Sequence, residues 1–457
     1  MTVNKFSKRL QDVGLASLLL AVFVALSGCA LSPTQISEMS AALSEELAMA
    51  QQEMAAPVNL EAGFMPALAE AVNTNPGYRA ALAAEREAAS NVGVAESVRW
   101  PQLGIDANLG GIREFDSAGE TITGLAGGLT LSQLVFDGGE STAAINRATA
   151  EVLAAEADRL NLANTLAFDV ARAWLDVAQF SERLALLRDR SSELDTLVTQ
   201  IERMAANGMI DRSAVDSVRR QIVDIQLEEA RLLSSLADAQ VRFRRYYRQS
   251  ADGISRPEPF LASEDARSHV EQWPFAPSLA LQAANVIAAR HTIAEAEAAF
   301  RPRLRFQTGI NSPLNNDNPA TGNFGLRFDY NVFDGSRRAR QLESAIARAA
   351  ALEGRLREEQ LNLEAELEAA MARLKSIDRS LELVDLKRTL SQSEARTVRS
   401  QLMTGQASLR QLVEAEIESY RAEDQAIALH VERQQLLFSI AARTGALQRI
   451  IGLDASQ

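Results

Sequence analysis

Two hydrophobic rhythms follow one another along the chain, and the pair occurs twice. In the first half apolar residues step four and three apart through Leu166, Val170, Ala173, Val177, Phe180, Leu184, Leu187, Leu194, Val198 and Ile201, with Ser191 a polar break. Moved by 197 positions, the same step runs through Leu363, Leu367, Ala370, Leu374, Ile377, Leu381, Val384, Ala395 and Val398, with Arg388 and Ser391 as breaks. A period near 3.5 requires a neighbouring helix in supercoiled packing. The uninterrupted stretches Gly139–Asn207 and Ser336–Thr404 are 69 residues each, or about 100 Å of helix.

The second rhythm has a period of two. After Pro101, Leu103, Ile105, Ala107 and Leu109 alternate with Gln102, Gly104, Asp106 and Asn108, and Leu129 and Leu131 alternate with Thr130 and Ser132. After Pro302, Leu304, Phe306, Thr308 and Ile310 alternate with polar residues, as do Phe324, Leu326, Phe328, Tyr330 and Val332. Four such segments fit transmembrane barrel strands, although two soluble hairpins packed on helices alternate in the same way. Their tips, Glu114–Thr123 and Ser312–Gly322, are rich in Gly, Asn, Asp and Ser, as turns in water are. Four strands cannot close a membrane barrel, which needs about eight. If these strands meet lipid, their open edges require other copies.

Fixed landmarks make the chain a tandem duplication. Asn75-Pro76 and Ala276-Pro277 each open an Ala-rich helical stretch, and Trp100-Pro101 and Arg301-Pro302 close it 25 residues later. Val135-Phe136-Asp137-Gly138-Gly139 and Val332-Phe333-Asp334-Gly335-Ser336 follow, and Gly208 and Gly405 lie 72 residues beyond Phe136 and Phe333. The first repeat spans 59–250, with a hairpin at 101–136 and a long helical hairpin at 138–248. A linker with Pro257, Pro259 and Pro274 covers 251–276. The second repeat spans 277–445, with a hairpin at 302–333 and a helical hairpin at 336–444, before a tail at 446–457. On length, the returning stretch Met209–Arg248 joined to Pro277–Phe300 matches the first long helix. The second, Gln406–Thr444, then takes its missing upper piece from the N-terminal helix, roughly Asn59–Arg99, and the structure closes head to tail.

The N-terminus reads as an address. Lys5, Lys8 and Arg9 precede the apolar stretch Leu15–Leu26, which is too short to span a bilayer and suits a signal peptide at 1–28. Leu26-Ser27-Gly28-Cys29 resembles a bacterial lipobox, so Cys29, the single cysteine, is the expected acylated first residue of an anchored segment at 29–58. Ala30, where an inner-membrane retention signal has Asp, implies the outer membrane. Loss of the leader takes the net charge from −13 to about −15. Acidity on that scale argues against a nucleic-acid partner. His269, His291 and His430 are scattered, without the spacing of a metal or nucleophile constellation, so neither enzyme nor cofactor is expected.

Leu60–Leu103, with Ala71, Asn75-Pro76, Ala88 and Pro101, resembles the opening signature of TolC-like outer-membrane efflux proteins. Pro302 and the two Phe-Asp-Gly turns resemble that family's strand-to-helix junctions, and the likeness runs from about Leu60 to Gly445. It implies an α+β membrane protein: a homotrimer with a long α-helical coiled-coil barrel and a transmembrane β-barrel built from four strands per chain. It implies a channel from the periplasm of a Gram-negative cell to its exterior, joined to a periplasmic adaptor and an inner-membrane transporter of the resistance-nodulation-division or ABC type. A type I protein-secretion pore and, in another class, a structural coiled-coil envelope lipoprotein remain as alternatives. The adaptor's docking tips correspond to Gly208, Met209, Ile210, Gly405, Gln406 and Ala407. Two gate carboxylates of some relatives correspond to Gln411 and Glu414, of which only the second is acidic here.

Overall fold

The computed structural model describes residues 33–52, 56–113, 121–206, 212–259, 261–312, 320–404 and 406–453. Cys29, Gly208, Met209, Ile210 and Gly405 lie outside them. Residues 1–56 form one unit, whose helix α1 (Pro33–Gln52) leaves Met39, Leu43 and Leu47 exposed along one side. The other unit, Pro57–Gln457, holds every remaining element.

Asn75 opens the first upper helix by accepting a hydrogen bond from the Gly77 backbone at 2.8 Å, with Pro76 at the first helical position, where its missing N–H costs nothing. This break divides the expected N-terminal helix into α2 (Phe64–Asn73) and α3 (Pro76–Ser97). Strands β1 (Gln102–Arg113) and β2 (Thr121–Phe136) follow, then the long helix α4 (Glu140–Ala206) and its return α5 (Arg212–Tyr247). A short helix α6 (Ser263–Glu271) precedes the second series: α7 (Pro277–Ala298), β3 (Arg303–Ser312), β4 (Thr321–Asp329), α8 (Arg337–Met403), α9 (Leu409–Arg443) and α10 (Leu447–Ile450).

The four strands form one antiparallel sheet in chain order, so β2 pairs with β3 and joins the two hairpins. Strand β4 stops before the expected Val332, because its partner β3 begins at Arg303, which faces Asp329. Leu103, Ile105, Ile310, Phe324, Leu326 and Phe328 stand exposed on one face of the sheet. No helix among the described residues is long and apolar enough to cross a membrane.

Helices α4 and α8 run the full length of a helical layer. Helices α7 and α9 each pack against both, while α3 and α5 pack on the other flank of α4. This corrects the expected joining of the shorter helices. Helix α5 continues into α3, not α7: Arg248, at its end, donates to the Thr74 carbonyl at 2.8 Å, just before α3 begins. Helix α9 continues into α7, and a Cβ on Gly445 would lie 2.6 Å from Pro277 Cδ. Each repeat therefore completes its own second helix, and α3 gives α8 no internal partner. The layer ends with α3 and α5 on one edge and α8 on the other.

The heptad stripe forms the seam of this layer. Val170, Val177, Leu184 and Leu187 are buried on α4, as are Leu367, Leu374, Ile377 and Leu381 on α8. Where the stacked helix ends meet, aromatic residues collect. The Phe243 and Tyr247 rings stack at 4.3 Å, with Trp174 edge-on to Tyr247 at 5.6 Å. The buried Tyr247 hydroxyl donates to the Val170 carbonyl at 3.2 Å.

Candidate functional site

Two regions gather charged residues: the junction between sheet and helices, and the end of the helical layer farthest from the sheet. At the junction the chain turns from strand to helix through Asp137-Gly138-Gly139 and Asp334-Gly335-Ser336. Asp137 accepts backbone hydrogen bonds from Gly139 at 3.0 Å and Ser141 at 2.7 Å. Burial opposes its ionisation, but these bonds and nearby Arg99 outweigh it and hold the carboxyl below the usual range. Asp334 accepts from the Arg338 guanidinium at 2.8 Å. Gly138 has φ +69°, and a Cβ there would meet Arg301 Cβ, so the turn requires glycine for conformation and for space. Between α4, α7 and α8 lies an open groove of about 1090 Å³, reached by Arg303 and Asp329 from the polar face of the sheet.

At the far end, arginines tie three long helices together. Arg183 on α4 grips Asp424 on α9 through two bonds, at 2.6 and 2.9 Å, both side chains only 18% exposed. Arg190 reaches Glu423 at 3.5 Å, and Arg399 on α8 holds the buried Glu416 at 2.7 Å. Beside them the buried Tyr420 hydroxyl has no hydrogen-bond partner among the described residues. Burial first, then Asp424 and Glu228, pushes its pKa well above the phenol range. A cleft of about 570 Å³ here takes Glu193, Asp224, Glu228, Glu414, Glu418 and Asp424 into its lining against Arg190, Arg231 and Arg421. Its balance is acidic, which attracts cations.

The sequence singles out Glu414 but not the clamp around it. Glu414 is exposed, 3.9 Å from Arg410, and is one of the residues lining this cleft. Gln411 serves as a helix cap: its side chain accepts from the Ser408 backbone at 2.8 Å, while its own backbone donates to Ser408 Oγ at 3.3 Å. Gln406 donates to the Gln401 carbonyl at 2.9 Å and Ala407 to the same oxygen at 3.3 Å, the bonds that close α8. Arg183 and Asp424 are 241 residues apart, and no local spacing announces such a pair.

Among the described residues no group of His, Cys, Asp and Glu could hold a metal. What the geometry offers is a layer with a polar groove at one end and an acidic cleft at the other.

Residues 67–247 and 276–446 match the model of the outer membrane efflux protein family, one segment per repeat. The chain is 24% identical over 388 residues to the pyoverdine export outer membrane protein OpmQ of Pseudomonas aeruginosa, covering 78% of this chain and 79% of that one. It is similar in fold to the outer membrane protein VceC of Vibrio cholerae, with a TM-score of 0.73 at 17% identity over 83% of this chain and 96% of that one. It is likewise similar to CusC, with a TM-score of 0.71 at 18% identity over 82% and 90% of the two chains.

Proposed function

We propose that this chain, which belongs to the outer membrane efflux protein family, works as one of three copies that together enclose a conduit through the outer membrane. The family is one of efflux channels and not of enzymes, and the chain is an outer-membrane channel subunit. The observation that carries the trimeric reading is the open edge on both layers. Strands β1 and β4 each have one strand partner among the described residues. The helical layer also ends in bare flanks, α3 and α5 on one side and α8 on the other. Both flanks carry a second apolar stripe, Val223, Leu227 and Val241 on α5 and Leu383, Leu386 and Leu390 on α8, all more than half exposed. Side-by-side copies cover every one of these edges, and three copies bring twelve strands, enough to close a barrel.

In this arrangement the apolar sheet face meets lipid and the polar face lines the lumen, because only a closed barrel satisfies every backbone group of a sheet in hydrocarbon. The helices continue the conduit into the periplasm, where the segments Gly208–Ile210 and Gly405–Ala407 seat a periplasmic adaptor. The acidic cleft around Glu414 borders the entrance. An inner-membrane transporter supplies the energy, and relatedness to a pyoverdine exporter favours a small cargo over a protein. Cys29 carries the lipid that holds the N-terminus to the membrane.

The test is the assembly itself. Full-length protein extracted in detergent should sediment as three chains and conduct ions in a planar bilayer, and mass spectrometry should find acylated Cys29 as its first residue. A folded, non-conducting monomer would overturn the channel, and an unmodified first residue further along would overturn the anchor alone.

A further inference from the structure

The polar face of the sheet holds a cross-strand pair that stability alone disfavours. Arg305 on β3 stands directly opposite Arg327 on β4, and like charges in that register destabilise a ladder. Arg327 is partly compensated, donating to Asp329 on its own strand at 3.1 Å, and the neighbouring Arg303 is paired with Glu140. Arg305 has no ion pair or hydrogen bond among the described residues. It is half-buried at the rim of an open groove of about 540 Å³. The carboxylates in that groove are already engaged: Glu140 with Arg303, Glu151 and Glu295 with Arg147 at 2.8 and 3.1 Å, and Asp137 with the backbone of its own turn.

We propose that Arg305 and Arg327 form an anion-selecting ring at the base of the barrel, taking solutes that bear carboxylate, sulfonate or phosphate groups. The ring rests on the channel reading above: the polar face points into the lumen, and three copies bring six guanidinium groups to one level. A guanidinium offers planar, forked donors that match oxyanions, and it stays charged at every physiological pH. Rings of arginine in a narrow pore favour anions over cations. The cost of placing Arg305 against Arg327 is then the cost of keeping a charge free for a passing solute. The acidic cleft at the far end has the opposite sign, so the two ends of the conduit act on different charges.

The experiment compares wild-type trimer, R305Q, R327Q, the double variant and R305K in planar bilayers under a potassium chloride gradient. The double variant should lower the chloride-to-potassium permeability ratio by about threefold or more, with R305K close to wild type. Inorganic tripolyphosphate added on the barrel side should slow current through wild type and lose that effect in the double variant. R305Q trimers should resist heat as well as wild type or better, since a repulsion is relieved. Normal channels with an unchanged ratio in every variant would overturn the ring and leave the channel standing. Failure of R305Q alone to form trimers would make Arg305 a structural residue and overturn the ring. Absence of conductance in wild type would remove the channel and the ring together.

Discussion

Gly445 closes α9 with φ +75°, and the backbone of Ala446 donates to the Ala441 carbonyl at 2.8 Å across it. The residue 197 positions earlier is Arg248, which holds the same left-handed backbone at φ 57° and ends α5. A left-handed non-glycine costs about 1–2 kcal/mol, and Gly445→Ala adds a clash with Pro277. The variant should therefore lower trimer stability by at least about 2 kcal/mol, read as a reduced melting temperature. Ser336, with φ 69°, stands where the first repeat has Gly139. Ser336→Gly removes that strain, and after the entropy of an added glycine should stabilise by about 0.5–1 kcal/mol. Burial, then Arg256 with Arg388 and Arg433, lowers the pKa of half-buried His430 against the opposing pull of Asp385. Burial with Arg449 does the same to His269, against Asp265. In both, the unfolded chain binds the proton more readily than the folded one. Stability should fall as pH drops below the ordinary imidazole value and level off below the folded value. Melting curves of His269→Asn/His430→Asn should show a shallower loss between pH 7 and 5, and an unchanged slope would place the effect elsewhere. At this scale the sequence is read most easily where geometry forces a residue type. The paired turns at 138–139 and 335–336 show this, whereas the capping role of Gln411 emerges only once α9 is seen to begin at Leu409.

The elements were the most legible level. A buried stripe is periodic because a helix is periodic, so Leu184, Leu187, Leu374 and Leu381 announced themselves by spacing and are buried in the structure. Pro76, Pro101, Pro277 and Pro302 mark breaks because proline cannot donate within a continuing element. Which helix continues into which was not legible, because lengths alone fit two joinings. α3 and α5 have 22 and 36 residues and α7 and α9 have 22 and 35, so exchanging the upper pieces leaves both totals unaltered. Contacts at Arg248 and Gly445 decide it. The Arg183–Asp424 fork was invisible for the same reason, since charges recur along every exposed helical face. Because both side chains are mostly buried, removing one leaves the other uncompensated. Arg183→Ala should cost about 1–3 kcal/mol, with much smaller further loss in Arg183→Ala/Asp424→Ala, a coupling that a double-mutant cycle measures. If the clamp also holds the entrance narrow, the single variant should raise conductance. Bulky residues at Met209 or Ile210, between α4 and α5 in sequence, or at Gln406 or Ala407 test adaptor docking. They should reduce efflux in cells while trimers persist, and normal efflux would count against docking at the tips.

At the scale of the molecule the two edges of the helical layer have to be explained together. A surface stripe of leucines on a soluble face is a liability, yet α8 carries Leu383, Leu386 and Leu390 at 62, 56 and 60% exposure. They keep the four-three step of the buried seam while facing away from it, with Ala365, Ala369 and Ala372 continuing the line above. Helix α5 has the same step through Val223, Leu227, Ala230, Ala237 and Val241, exposed throughout. Two unpartnered heptad lines on opposite edges of one layer suit the proposed ring of identical copies, in which the α8 edge of one copy would meet the α5 edge of the next in a head-to-tail contact that closes after a full turn. Burying each leucine contributes about 1.5–3 kcal/mol, and every trimer contains three such contacts. Leu383→Asn/Leu386→Asn/Leu390→Asn should therefore abolish or severely weaken the trimer in detergent. The monomer should keep its helix content, because none of the three leucines belongs to the chain's own core. Asparagines at Val223 and Leu227 on the opposite edge should give the same loss, and combining the two sets should add little once the contact is gone. Trimers that survive all of these changes would mean that the copies meet through some other surface and that the second stripe serves a different partner.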